Sequence, residues 1–256
     1  MRRLSEAGGS AVFVHGAGGG GWEWTVWSRV LSAAGWQVLA PDLRPAPGGL
    51  AGTRLADYAT QVRGWLDAAP RPRLLLGASL GGLLAAMHAD ASDALVLVNP
   101  MPPAGLPGAA PRPAIVHWGR TASLAGTRRA MPGADDAAAL FAFRRWRDES
   151  GAALDEAAAG TTLPPPRVPV LVIASDADTD IPPATSQALA DAWGADFLST
   201  PGSHVDPLLG RHAAPLATQT LAWATRNGVR FTSGTLGRSG PGVPNTPRGA
   251  TVRGRV

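Results

Sequence analysis

Leu74-Leu75-Leu76-Gly77-Ala78-Ser79-Leu80-Gly81-Gly82-Leu83-Leu84-Ala85-Ala86-Met87 changes character twice within one short stretch. The leucine run reads as a buried strand, and Gly82 to Met87 reads as a helix. Between them stands a serine with a glycine two residues before it and another two residues after. The chain must turn sharply there, and small residues on either side let strand and helix approach each other closely. The serine Oγ then projects at the carboxyl edge of a sheet, with a helix N-terminus behind it to stabilise developing negative charge. G-x-S-x-G is a short pattern in a chain with 32 glycines, and chance alone produces such matches. The flanking strand and helix are what give Ser79 its standing as a candidate nucleophile.

Outward from this turn, apolar strand-like runs recur at residues 11–15, 37–40, 74–77, 95–98 and 170–174, with a weaker one at 196–199. Continuous apolar runs of this kind suit a parallel sheet covered on both faces. Helix-compatible segments lie between them at 22–34, 55–68, 80–91, 183–193 and 214–226. The alternation predicts an α/β architecture, a doubly wound and mostly parallel sheet of about six strands. The order breaks once. Residues 100–167 carry proline-rich borders, helical pieces and no convincing strand, and read as a helical lid inserted between two parts of one core, 1–99 and 168–230. Residues 231–256 are rich in Gly, Pro, Arg, Ser and Thr, without apolar periodicity, and are expected to be disordered.

Composition narrows the function classes. The 256 residues, 45% hydrophobic, can bury one large core. No run approaches the ~20 apolar residues of a membrane span. The opening Met1-Arg2-Arg3-Leu4-Ser5-Glu6 has no apolar stretch behind its arginines, unlike a secretory signal. Without cysteine there is no disulfide, thiolate metal site or cysteine nucleophile. A cytoplasmic protein that binds neither membrane nor nucleic acid is expected. The net charge of +4 arises in the tail: six arginines follow position 225, where no acid lies, and residues 1–225 hold 17 basic against 19 acidic groups. A basic tail on a near-neutral body is not a nucleic-acid-binding domain.

Three further segments join Ser79. Val12-Phe13-Val14-His15-Gly16-Ala17-Gly18-Gly19-Gly20-Gly21-Trp22 is a strand running into a glycine-rich loop. It lacks the lysine of a phosphate-binding P-loop and the spacing of a dinucleotide-binding start. Val170-Leu171-Val172-Ile173-Ala174-Ser175-Asp176-Ala177-Asp178-Thr179-Asp180-Ile181-Pro182 is a strand followed by three alternating aspartates. Such a run also suits a hydrated loop or a weak cation site, but supplies no full oxygen shell. Pro201-Gly202-Ser203-His204-Val205-Asp206 places a histidine on a small-residue loop after the last strand. Histidine is the residue for proton transfer near neutral pH.

In this order the segments resemble the α/β-hydrolase superfamily over residues 11–227, in a compact form lacking the first two strands of larger members. The resemblance implies a Ser-Asp/Glu-His chain order. It assigns Ser79 as nucleophile, His204 as general acid/base and Asp178 as orienting acid, with Asp176 as the alternative. Ser175 replaces the family's usual glycine, which puts the turn there in question. The oxyanion donors become the backbone N–H groups of Ala17, or Gly18, and Leu80. His15 is structural, His88 packs on the helix after the nucleophile, His117 lies in the insertion, and His212 opens the last helix. No cofactor and no metal are implied.

A serine nucleophile argues against the epoxide hydrolase and haloalkane dehalogenase branches, which use aspartate. The absence of lysine argues against hydroxynitrile lyase chemistry. Hydrolysis of a small-molecule carboxylic ester through an acyl-enzyme is the leading expectation. A thioesterase or ester-forming cyclase is one alternative, and a non-catalytic ligand-binding protein of the same fold is another. Within the insertion, Ile115, Trp118, Leu124, Leu140, Phe141, Phe143 and Trp146 mostly form its own core, with one or two aromatic rings facing an apolar acyl pocket. Its eight arginines, Arg128, Arg129, Arg144, Arg145 and Arg147 among them, read as a solvated face or as a docking face for an acyl-carrier protein.

Overall fold

A computed structural model of the chain describes residues 9–230. The expectations for the start of the chain and for residues 231–256 lie outside the described residues.

Six strands form one sheet: β1 (Ser10–Val14), β2 (Gln37–Leu39), β3 (Arg73–Ala78), β4 (Ala94–Val98), β7 (Val170–Ser175) and β8 (Asp196–Thr200). Their order is β2-β1-β3-β4-β7-β8, and every neighbouring pair is parallel. The alternation of apolar residues along each strand divides the core in two. Val12, Val14, Leu75, Leu95, Leu97 and Val172 face one side, where α2 (Leu55–Ala68), α3 (Leu80–Ala86), α6 (Gly151–Ala159) and α7 (Pro183–Trp193) pack. Ala11, Phe13, Leu74, Leu76, Val96 and Ile173 face the other, under α1 (Thr25–Ala33), the short α8 (Asp206–Leu209) and α9 (Ala213–Arg226). Each large aliphatic side chain buried this way contributes about 1.5–3 kcal/mol, which is why the inner strands β1, β3, β4 and β7 are apolar on both faces, while the edge strands β2 and β8 expose Gln37, Asp196 and Ser199.

Because all six strands run the same way, their carboxyl ends lie at one edge. The chain winds outward from β1 to β2, then crosses to β3 and proceeds the other way. The switch therefore falls between β1 and β3, where open α/β sheets form a crevice for ligands. The loops after β1, β3, β4, β7 and β8 all emerge there.

Two boundaries differ from the sequence reading. The segment read as a helix over 22–34 begins as a 3-10 turn, Gly21–Trp24, and α1 starts at Thr25. α3 stops at Ala86 and is followed by a separate 3-10 turn, Ala89–Ala91, so His88 caps that turn rather than lying within a helix. Its Nε2 pairs with the Ala59 carbonyl at 2.8 Å.

The segment between β4 and β7 holds α4 (Leu124–Ala130), α5 (Asp136–Phe143) and α6. It also holds strands where none was expected: β5 (Ile115–Val116) pairs antiparallel with β6 (Glu149–Ser150). Two residues per strand leave no periodicity to read. The ribbon and α5 bring Phe141 and Trp146 against Trp22, with edge-to-face ring centroids at 6.0 and 5.1 Å. These two rings pack onto the glycine loop instead of forming only the segment's own core. Trp118 and Trp146 line the crevice.

Candidate active site

Ser79 sits between β3 and α3 with φ 51° and ψ −120°, a left-handed conformation costly for a residue with a Cβ. Such strain is on the order of 1–3 kcal/mol and persists only where neighbours enforce it. Its N–H donates to Val98 O at 3.1 Å, and its carbonyl accepts from Gly82 N at 2.9 Å and Met101 N at 3.0 Å. The glycines are steric requirements. A Cβ on Gly77 would fall 2.2 Å from Gly81 O, and one on Gly81 would fall 2.3 Å from Val14 O. β3, α3 and β1 thus meet backbone to backbone beneath the serine. The Leu80 N–H, first of α3, finds no acceptor among the described residues.

The loop after β1 is held by groups far away in sequence. The Gly18 N–H donates to Glu149 Oε2 at 3.1 Å. Gly18 is therefore engaged, while the Ala17 N–H has no acceptor among the described residues. Glu149 is itself buried and accepts from Tyr58 Oη at 2.6 Å. Burial, then the Glu149 carboxylate, raises the Tyr58 phenol above its ordinary value. Arg147 donates through its backbone N–H to Gly18 O at 2.7 Å and through Nε to Gly19 O at 2.5 Å. Its Nη2 lies 3.0 Å from His15 Nε2, and its Nη1 lies 3.5 Å from Asp42. Arg147 therefore belongs neither to a solvated helix face nor to a docking face. Arg145 stacks on the Phe141 ring at 3.8 Å, and Arg128 pairs with Asp136.

His15 is fully buried. Its Nε2 accepts the Leu43 N–H at 2.8 Å, so the ring proton sits on Nδ1 and is donated to Gly16 O at 2.8 Å. Burial pushes its pKa down to about 4, against the Gly16 carbonyl, and Arg147 pushes the same way. The ring is a neutral strut for the loop. Glu23 is also buried: its Oε2 accepts the Gly16 N–H at 3.0 Å, and desolvation pushes its pKa up to about 8.

At the far strands, Asp178 Oδ2 accepts from His204 Nδ1 at 2.7 Å. Asp178 Oδ1 accepts the N–H groups of Asp180 (2.8 Å) and Ile181 (3.0 Å), so both of its oxygens are used. Burial disfavours the imidazolium, but the hydrogen bond and charge of Asp178, with Asp180 behind them, hold the His204 pKa above its usual value. Asp178, Asp180 and His204 bring ligand atoms within 4.8 Å of one another, but the two oxygens of Asp178 are already committed. Asp176 points elsewhere. Its Oδ1 accepts the Gly202 N–H at 3.0 Å and so ties down the loop that carries His204. Asp206 assists, accepting from Ser203 N at 2.8 Å and Gly133 N at 3.0 Å.

Asn99, which the sequence reading missed, locks the β4, β7 and β8 ends together. With φ 43° at the end of β4, its Nδ2 donates to Ser175 Oγ (2.9 Å) and His204 O (2.8 Å), and its Oδ1 accepts from Ser175 N (2.7 Å). Ser175 is accommodated by this bridge. The turn that follows still delivers Asp178 to His204.

Ser79, Ala17, Glu23 and His204 line one cavity of about 730 Å³. No hydrogen bond joins Ser79 Oγ to His204 among the described residues. Met101, Leu106, Leu154, Ile181 and Leu208 supply apolar wall, and Thr121, Ser123 and Arg129 a polar rim. His117 pairs with Asp148 at 2.8 Å, and His212 caps α9.

With this geometry, the chain belongs to the alpha/beta hydrolase family, whose model matches residues 11–219. No match among curated protein sequences reaches significance. Among solved structures, the chain is similar to a pyrethroid hydrolase from Sphingobium faniae JZ-2 (21% identity, TM-score 0.66, 86% of this chain and 98% of that one). It is also similar to the methylesterase MES16 from Arabidopsis (16%, TM-score 0.66, 85% and 99%). A third is the thioesterase domain from the curacin biosynthetic pathway (19%, TM-score 0.65, 84% and 91%). At these identities the likeness is one of fold. No described helix is long and apolar enough to cross a membrane.

Proposed function

We propose that this protein is a serine hydrolase that cleaves a carboxylic ester through an acyl-enzyme. The observation that carries the reading is one cavity receiving both Ser79, on its strained turn, and His204, backed by Asp178. Ser79 Oγ attacks the carbonyl carbon and gives its proton to His204 Nε2. Asp178 keeps the His204 proton on Nδ1 and stabilises the imidazolium. The tetrahedral oxyanion is met by the Ala17 and Leu80 N–H groups, neither of which has an acceptor among the described residues. A preorganised donor of this kind is worth about 3–4 kcal/mol. His204 then protonates the departing alkoxide as the C–O bond breaks. A water attacks the acyl-enzyme by the same route and restores Ser79. The segment 100–167 acts as the lid over this cavity, with Trp118 and Trp146 facing the acyl group.

A thioester substrate is favoured by one observation. Arg129 of α4 lines the cavity and makes no ion pair among the described residues. A phosphate-bearing carrier arm, as on an acyl-carrier protein, suits that cation. p-Nitrophenyl esters of graded chain length, run beside S79A and matched acyl-thioesters, test both readings. Turnover no faster than S79A, with no labelling of Ser79 by a fluorophosphonate, would instead favour a ligand-binding protein.

A further inference from the structure

Glu23 is a buried carboxyl in the cavity for which the acyl-transfer steps have no use. Only 3% of it is exposed, and it lines the same space as Ser79 and His204. Its Oε2 takes the Gly16 N–H at 3.0 Å, one residue before Ala17. The glycine loop is shaped around it. A Cβ on Gly19 would stand 2.2 Å from Glu23 Oε1 and 2.3 Å from its Cδ, so a side chain at residue 19 would push the carboxyl out of its place. On its other side, a Cβ on Gly16 would stand 3.3 Å from Ser79 Cβ. The His15–Gly16 peptide, one before the peptide that carries the Ala17 N–H, is thus clasped between the Glu23 carboxyl and the nucleophile's own turn. If that peptide rotated, the Ala17 N–H would swing away from the reacting carbonyl.

We propose that Glu23 is a positioning residue for acyl transfer, holding the His15–Gly16 peptide so that the Ala17 N–H on the next peptide stays aimed at the oxyanion, and that it does so as a neutral acid. The catalytic meaning of this role rests on the serine-hydrolase reading. Charge explains why neutrality matters: a carboxylate beside a developing oxyanion would oppose it in a medium of low dielectric. Burial removes the conflict by pushing the carboxyl up to about 8, even though the Gly16 N–H favours the anion. The charged neighbours are His204 from the loop after β8, Arg147 from the inserted segment and Asp42 after β2. The first two pull towards ionisation and Asp42 resists it. When Glu23 ionises at alkaline pH, its charge works against the intermediate, and turnover falls.

The test compares wild type, E23Q and E23A. The kcat and KM for a p-nitrophenyl ester, and melting temperature, are followed from about pH 5 to about pH 10. Glutamine can accept the Gly16 N–H but cannot ionise; alanine can do neither. E23A is expected to lose roughly 10- to 100-fold in kcat with KM little changed, part of the 10²–10³ that a whole oxyanion donor commands. E23Q recovers most of that loss and lacks the alkaline fall of wild type. The melting temperature of wild type relative to E23Q declines from about pH 5 to about pH 8, because only the folded chain retains the Glu23 proton in that window. E23Q as slow as E23A, an unchanged alkaline limb in E23Q, or E23A at wild-type rate overturns the proposal. If wild type turns over no faster than S79A, the hydrolase reading fails separately. The melting comparison then decides alone: a difference that does not vary with pH shows that Glu23 is not held neutral.

Discussion

Asp178→Asn is the substitution whose outcome the hydrogen-bond geometry dictates most tightly. Asp178 Oδ1 accepts two backbone N–H groups, and Oδ2 accepts from His204 Nδ1. An asparagine must choose which end carries its NH₂. Turning the NH₂ towards Asp180 and Ile181 sets donor against donor and forfeits two hydrogen bonds in a buried place. Each buried donor left unsatisfied costs about 1–3 kcal/mol, so this orientation lies roughly 2–6 kcal/mol above the other. The amide oxygen therefore stays on the two N–H groups, and the NH₂ faces His204. Nδ1 must then accept, the ring proton moves to Nε2, and Nε2 can no longer take the proton of Ser79. Since 1.4 kcal/mol is tenfold, the competent tautomer falls to between about 1 part in 30 and about 1 part in 10⁴, and kcat should fall by at least that factor. The assay is steady-state turnover of a p-nitrophenyl ester near neutral pH, with melting temperature measured alongside to show an intact fold. Asp176→Asn is the control: its Oδ1 keeps the Gly202 N–H, its NH₂ points to solvent, and most of the rate should remain. A D178N enzyme within tenfold of wild type, or a crippled D176N enzyme, would refute this reasoning.

Ser79→Gly should abolish turnover yet raise the melting temperature by roughly 1–6 °C, because glycine relieves the φ 51° strain at some entropic cost. A lowered melting temperature would mean the turn is not strained. Arg147→Ala should cost about 2–3 kcal/mol, as charged hydrogen bonds to the glycine loop are lost, and lower melting by roughly 4–10 °C along with kcat. Asn99→Ala, by releasing the His204 carbonyl and the Ser175 N–H, should reduce kcat more than about tenfold; an unaffected rate would show that the β4–β8 bridge is dispensable. The value of kcat/KM should fall on the acid side with an apparent pKa above 6.5, since His204 must be neutral to act as base and Asp178 holds its proton more tightly. An acid limb that persists in H204A on any residual activity would assign it to another group.

The parallel sheet was legible because its inner strands are buried on both faces and so carry uninterrupted apolar runs, from Leu74–Leu76 to Val170–Ile173. The positions of Ser79, Asp178 and His204 were legible because each follows a strand, and local pattern fixes where a strand ends. Arg147, Glu149, Tyr58 and Asn99 were not. Arg147 and Glu149 reach the glycine loop across 128 and 131 residues, and nothing near them in the sequence marks that destination. Arg147 reads locally as one more arginine in a basic stretch. Glu23 was hidden differently: a charged residue between two tryptophans looks exposed, and only the fold reveals that the bare Cα of Gly19 leaves room for its carboxyl.

The grip of residues 147–149 on the glycine loop has a consequence for engineering this scaffold. Exchanging the inserted segment for one from another member, as a way to alter acyl preference, would remove the Glu149 acceptor from Gly18 and the Arg147 donors from Gly19 and His15 in the same cut. A chimera of that kind loses those contacts together with the segment. It frees the N–H of Gly18 to compete with that of Ala17 and unfastens the loop on which both sit. Graft boundaries placed inside residues 117–146 would leave the Arg147 and Glu149 contacts in place, and the glycine loop would keep its fastening.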